Sequence, residues 1–302
     1  MAGVSAPPAE VLLAKRVQEL VITGEDPSGP YVCRNDDEEE ELDATTENSP
    51  IPVVNIGHFL SGKWSDDESV QELKNLHSAL STWGCFQAIG HGIPSCFLDE
   101  VRGVGREFFE QPMEEKNKYA KTVTEFQGYG ADPVPEEGQS LDWSDRLFLE
   151  LVPEDQRNYR FWPQNPSSFK RPDLVLGLKP HADGSGYTVI LQDEPGLQVL
   201  NHGKWYTVPK SPEALLVLMG DQMEIMSNGV FRSPVHRVLS NGERDRISIA
   251  VFYTPEVGKE IGPEEGLISA EAPRVFKMVK DYADIHWGYY QRGMRSVHTV
   301  KI

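Results

Sequence analysis

The sequence predicts a mixed α/β chain, mainly β in its second half: a sandwich or barrel of short strands with α-helices outside it. Three observations predict this. From about residue 176 the chain breaks into apolar runs of four to six residues, punctuated by glycine or asparagine, and many short strands at regular spacing build a sandwich or barrel. Before that point apolar residues recur at helical spacing between two strand-like segments. After it, Pro273 to Tyr290 reads as one closing helix.

Taken in order, Ala9 to Ile22 carries an apolar stripe (Val11, Leu12, Leu13, Val17, Leu20, Val21) and reads as a short amphipathic helix docked on the body of the protein. Asp36 to Glu41 is an unbroken acidic run inside a loose connection over 23–49. Pro50 to Ile56 begins a strand, and Ser65 to Glu68 is a capping box. The helix it opens carries Val70, Leu73, His77, Leu80 and Trp83 on one side. Gly84 to Ile89 is the next strand, and His91 sits in a Gly-His-Gly turn with no ligand role. Ser95 is expected to cap a helix bearing Phe97, Val101, Val104 and Phe108, and Pro112 to open a third. The later strands are Tyr187–Gln192, Leu197–Leu200, Lys204–Val208, Ala214–Met219, Met223–Met226 and Arg246–Tyr253, with Asn241-Gly242 marking a turn.

The composition bounds the function. The chain has 302 residues, enough for one large domain or two closely packed ones. Its expected regions are an N-terminal helix and acidic linker over 1–49, a mixed region over 50–170, the strand-rich domain over 171–262, and a C-terminal helix and tail over 263–302. A formal net charge of −18 argues against a nucleic-acid partner. The three cysteines, Cys33, Cys85 and Cys96, form neither a disulfide framework nor a zinc pattern. No apolar run approaches the roughly 20 residues of a membrane helix, and no signal-peptide pattern opens the chain. A cytoplasmic monomer is expected, with a small-molecule partner and neither nucleic acid nor membrane. Gly103-Val-Gly105 lacks the third glycine and preceding strand of a dinucleotide site.

The chemistry concentrates in His181-Ala-Asp183, His236 and Arg246-Ile-Ser248. Each has a plain reading alone: a structural His-x-Asp, a satisfied polar histidine, a surface arginine. In this order they suggest more. Two imidazoles and one carboxylate can occupy one face of a ferrous ion and leave the other positions open. Residues i and i+2 on a strand share a side, so His181 and Asp183, and again Arg246 and Ser248, are expected to point together from strands. An arginine fork fits a carboxylate in bidentate fashion. These residues predict a non-haem iron oxygenase using an organic acid. Phe252 could shape its pocket or be plain core.

Around these motifs stand Trp83-Gly-Cys-Phe-Gln87, His91-Gly-Ile93, Phe108-Phe109, Gly128-Tyr-Gly130, Asp142-Trp143, Gly177-Leu178, Gly220-Asp221, Ser227-Asn-Gly229 and His236-Arg-Val238. With them, over most of residues 50–290, the chain resembles the plant-type 2-oxoglutarate- and Fe(II)-dependent dioxygenases of specialised metabolism. The resemblance implies a distorted double-stranded β-helix, or jelly roll, with flanking helices. It implies His181, Asp183 and His236 as catalytic iron ligands, and Arg246 with Ser248 on the distal carboxylate of 2-oxoglutarate. It also implies O2 as co-substrate, ascorbate as a candidate reductant, and hydroxylation, demethylation or desaturation with release of succinate and CO2. In one respect the chain departs from that pattern. Only Gln164 to Val175 separates Phe161-Trp-Pro163 from Leu176-Gly177, where the family normally has helices and an Asn-Tyr-Tyr-Pro strand; Lys170 to Asp173 looks like a seam. Two alternatives therefore stay open: a truncated variant that binds metal or partners without turnover, and an ascorbate-dependent oxidase of the same fold.

Overall fold

The computed structural model describes residues 15–25, 31, 50–60, 67–123, 125–131, 141–152, 154–164, 180–239, 245–256, 258–290 and 292–302. The acidic run, Ser65 of the capping box, Cys33, the seam with Gly177-Leu178, and the Asn241-Gly242 turn lie outside them. The chain forms two compact units, one of residues 1–36 and 111–172, the other of residues 37–110 and 173–302.

The elements run in chain order as α1 (Val17–Thr23), β1 (Val53–Asn55), α2 (Gly57–Leu60), α3 (Asp67–Thr82), β2 (Cys85–Ile89), α4 (Ser95–Phe109) and α5 (Met113–Asn117). They continue as β3 (Gly128–Gly130), β4 (Arg146–Phe148), β5 (Tyr187–Gln192), β6 (Leu197–Asn201), β7 (Lys204–Thr207), β8 (Leu215–Met219) and α6 (Asp221–Met226). Last come β9 (His236–Val238), β10 (Ser248–Tyr253), β11 (Glu260–Ile261), β12 (Val279–Lys280) and α7 (Tyr282–Tyr290).

In the first unit α1 docks through its N-terminus. No side chain of its own caps it; instead Asp145 accepts the backbone N–H groups of Val17 and Gln18 at 2.8 and 2.9 Å, satisfying orphan donors of the first turn. Lys116 is buried there, donating to Gln18 Oε1 at 2.6 Å. Strands β3 and β4 pair antiparallel beside it.

The second unit is built on two sheets. One has strand order β1-β2-β8-β5-β10 and the other β7-β6-β9. Strands β1 and β2 are parallel and joined through α3, whereas the other pairs of both sheets are antiparallel. The sheets bury a common core. Cys85, Ile190, Leu216 and Leu218 from the larger one meet Leu197 and Val199 from the smaller. This is the jelly roll. Helix α4 covers the outer face, with Leu98 and Val101 on Leu191 and Ile249. The passage from α3 to β2 requires glycine: Gly84 sits at φ +70° and donates its N–H to Ala79 O at 3.0 Å, as at a helix C-terminus. A Cβ there would lie 2.3 Å from the Arg232 carbonyl oxygen.

Several expectations are corrected. Met223–Met226 is not a strand but part of α6. Its buried residues Asp221, Gln222, Glu224 and Ile225 follow a helical spacing. Asn228 (φ 52°) and Gly229 (φ 82°) end the helix, the latter donating to Glu224 O at 2.8 Å. The closing helix is only Tyr282–Tyr290. Ahead of it Val279–Lys280 pairs with β11, and Asp281 at φ +51° interrupts the chain. Helix α3 buries Ser69, Ala79 and Leu80, while Val70 and Leu73 are exposed and His77 faces out. Ser95 is the first helical residue of α4, and Pro94 holds the cap position without a side-chain bond. His91 is a turn residue, with Nε2 2.8 Å from Glu213 O and Nδ1 accepting the Ile93 N–H.

Candidate metal centre

The predicted His181 and Asp183 do not lie on a regular strand. His181 forms a single antiparallel bridge with His236, the first residue of β9. Each N–H donates to the other's carbonyl oxygen, at 2.8 and 2.7 Å. The two histidines are thus cross-strand neighbours, a pairing that brings facing side chains together. Their ring centroids are 4.3 Å apart. Asp183 lies in the turn between that bridge and β5. Its N-terminal side is held by the bridge, and its carbonyl oxygen accepts the Asp221 N–H at 2.7 Å. One ligand atom from each of His181, Asp183 and His236 lies within 4.8 Å of the other two.

The electrostatics suit a cation. Burial pushes the His236 imidazole down to about 4, and neighbouring His181 adds to the effect, so at neutral pH the ring is uncharged. Its Nδ1 is 3.2 Å from the Pro234 carbonyl oxygen. A carbonyl only accepts, so Nδ1 carries the proton and Nε2 keeps its lone pair. Burial works against ionising Asp183, but the imidazoles of His236 and His181 and the Thr188 hydroxyl outweigh it and hold the carboxyl below its usual range. Asp183 Oδ1 stands 3.2 Å from His181 Nε2 and 3.6 Å from His236 Nε2. Two imidazole nitrogens and a buried carboxylate oxygen are a donor set that fits non-haem iron.

The C-terminal segment buttresses this turn. Tyr290 of α7 packs edge-on against His181, centroids 5.4 Å apart. A Cβ on Gly184 would lie 2.4 Å from His286 Cγ. Fully buried Asp221 accepts from Tyr282 Oη at 2.8 Å and Ser296 Oγ at 3.1 Å, which ties α6 to α7.

A small cavity opens on the three residues. Its apolar wall is Ile190, Leu197, Val238, Ala250 and Phe252, and Ser248 lies at its polar side. Phe252 therefore faces the cavity and not only the core. Strand β10 begins at Ser248, so Arg246 precedes it. Arg246 does not itself line the cavity. Its Nη1 donates to Ser248 Oγ at 3.3 Å, its Nη2 to Gln192 Oε1 at 3.0 Å and its Nε to the Glu194 carbonyl at 3.0 Å. Among the described residues three of its five N–H groups are thus engaged and two remain. Burial pushes this guanidinium down to about 10, with Asp193 partly offsetting it, so it stays a cation at neutral pH.

The sequence reading brought these five residues forward and missed Thr188 and Gln192. Both face inward by the period of two along β5, and both stand opposite inward residues of β10: Thr188 opposite Phe252, Gln192 opposite Ser248. That alternation was a signal that could have found them.

Two family models match the chain. The 2OG-Fe(II) oxygenase superfamily matches residues 155–255, and the N-terminal model described as non-haem dioxygenase in morphine synthesis matches 51–165. Protein SRG1 of Arabidopsis thaliana is 32% identical over 335 aligned positions, covering 90% of this chain and 92% of that protein. Codeine O-demethylase of Papaver somniferum is 30% identical over 326, covering 89% and 90%. A crystal structure of JOX2 in complex with 2OG, Fe and JA superposes with a TM-score of 0.75 at 26% identity, covering 96% of this chain and 98% of that one. The two alignments are longer than the stretches of this chain they use: 335 positions against about 272 residues, which is 90% of 302, and 326 against about 269. Roughly 60 positions of each alignment thus face no residue of this chain.

Proposed function

Because this chain belongs to the 2-oxoglutarate–Fe(II) oxygenase superfamily, we propose that His181, Asp183 and His236 hold its iron, that Arg246 and Ser248 hold its 2-oxoglutarate, and that it oxidises a small, largely apolar plant metabolite. Ferrous iron, O2 and 2-oxoglutarate together supply the oxidising power, with succinate and CO2 as co-products. The observation that carries the residue assignment is the cluster of three donor atoms in the lining of a largely apolar cavity.

The chain's own residues divide the remaining work. Arg246 is a fixed cation whose two remaining N–H groups can meet two oxygens of one carboxylate. Glu194, Gln192 and Ser248 set the plane of that fork in advance, which lowers the ordering cost of binding. Ile190, Leu197, Val238, Ala250 and Phe252 keep water from the reacting centre and favour an apolar substrate. The relatives' reactions, an O-demethylation among them, support oxidation at an inert carbon.

A second reading is favoured by the unmatched positions in the alignments: a shortened form that binds iron and the acid but turns over poorly. One experiment separates the two. Anaerobic addition of Fe(II) and 2-oxoglutarate gives a visible charge-transfer band in both cases. Admission of O2 with a panel of metabolites then gives succinate and a mass-shifted product only from a working enzyme. Absence of the band refutes the site assignment. An oxidase that draws on ascorbate would consume substrate without releasing succinate.

A further inference from the structure

Among the groups around the three donors, Thr188 is fully buried and its hydroxyl meets a metal-facing carboxylate. Thr188 Oγ1 donates to Asp183 Oδ2, and Ser185 Oγ lies 3.1 Å from Thr188 Oγ1. An ionised carboxylate only accepts, so the single Thr188 proton goes to Asp183, and Ser185 must be the donor to Thr188. The two oxygens of Asp183 are therefore unlike. Oδ1 faces His181 Nε2 at 3.2 Å and His236 Nε2 at 3.6 Å, while Oδ2 is turned to the hydroxyl.

We infer that Thr188 is a positioning residue that commits Asp183 to hold the metal through Oδ1 alone. The inference rests on the iron-site reading above and deepens it. A carboxylate can take one or two coordination positions on a cation. A facial set of three single donors leaves the remaining positions open for a chelating keto acid and O2. If Asp183 rotated to use both oxygens, it would compete with the chelating end of 2-oxoglutarate. Outer hydrogen-bond partners of metal ligands carry this kind of orientation. Thr188 can do so because β5 places it in the wall of the cavity, its neighbours in the ladder being Phe252 and Leu218.

The test is an anaerobic titration of the full chain with Fe(II) and 2-oxoglutarate, read by the charge-transfer band and not by turnover. Thr188→Val keeps the shape and removes the donor. It is expected to raise the 2-oxoglutarate needed for half the band by about 10–100-fold, and Thr188→Ser to restore it to within about threefold. Ser185→Ala leaves the Thr188–Asp183 bond in place and is expected to titrate close to the wild type. Where Thr188→Val folds poorly, Thr188→Ala carries the same expectation. A Thr188→Val protein that melts lower but titrates like the wild type overturns the inference and leaves the iron site standing. Ser185→Ala falling as far as Thr188→Val also overturns it, since the hydroxyl pair and not Thr188 would then set the carboxylate. A wild-type chain with no band overturns the iron-site reading, and this inference with it.

Discussion

Arg246→Lys keeps the charge and removes the fork, and its effect follows from the contacts. The native guanidinium spends one N–H each on Glu194 O, Gln192 Oε1 and Ser248 Oγ and has two left for a carboxylate. A lysine ammonium has three N–H groups on a single nitrogen. It cannot hold three separated acceptors and also meet two oxygens. Losing one charge-assisted hydrogen bond of about 1.5–3 kcal/mol corresponds to about a 10–150-fold rise in the 2-oxoglutarate concentration for half-maximal rate. The assay is succinate release against 2-oxoglutarate at saturating Fe(II), with a melting curve on the same sample. The maximal rate at saturating co-substrate should fall much less. A half-saturating concentration within about twofold of the wild type would refute the role given to Arg246. A collapse in melting temperature at an unchanged concentration would make the arginine structural.

Other outcomes follow from the same geometry. His181→Ala and Asp183→Ala are expected to abolish the Fe(II)-dependent band and succinate formation while far-ultraviolet circular dichroism stays native-like; either variant retaining turnover would remove that residue from the ligand set. Gly184→Ala places a Cβ 2.4 Å from the His286 ring and should cost about 1–3 kcal/mol by overpacking, read as a lower melting temperature; an unchanged melting point would mean α7 yields freely. Lys121 is pushed down to about 8 by burial, with Arg146 adding to the effect. Between about pH 8 and 10.5 the unfolded chain then binds more protons there than the folded one, so this group's contribution to stability rises with pH across that window. The melting temperature of the wild type relative to Lys121→Met should rise by a few degrees over it, and a flat difference would contradict the shift.

Much of the fold was legible because short strands write themselves locally. Tyr187–Gln192 matches its predicted bounds, since β-branched and apolar residues there are closed off by Gly186 on one side and the loop to Gly196 on the other. The misreadings occurred where one pattern serves two structures. Met223-Glu-Ile-Met226 alternates as a strand would, and only Gly220 before Asp221 and the left-handed pair Asn228-Gly229 mark a helix. Pro273–Tyr290 is apolar enough for one long helix, but Asp281 adopts a left-handed conformation and the residues ahead of it pair with β11. On α3, Val70 and Leu73 had the right period but the wrong face, because a helix's buried side is chosen by what packs on it.

The sequence by itself determined which groups the proposed site can draw on: two imidazoles, a carboxylate, a guanidinium and its neighbouring hydroxyl are chemical identities, and no fold can supply them to a chain that lacks them. Tertiary structure alone decided that His181 bridges His236 across about fifty residues, that Thr188 reaches one oxygen of Asp183, and that Gln192 holds the arginine. These contacts depend on strand register, which the burial of Leu197, Val199 and Ile190 between two sheets sets cooperatively. A one-residue slip would turn every such side chain to the opposite face, and nothing in a local run of residues records that choice.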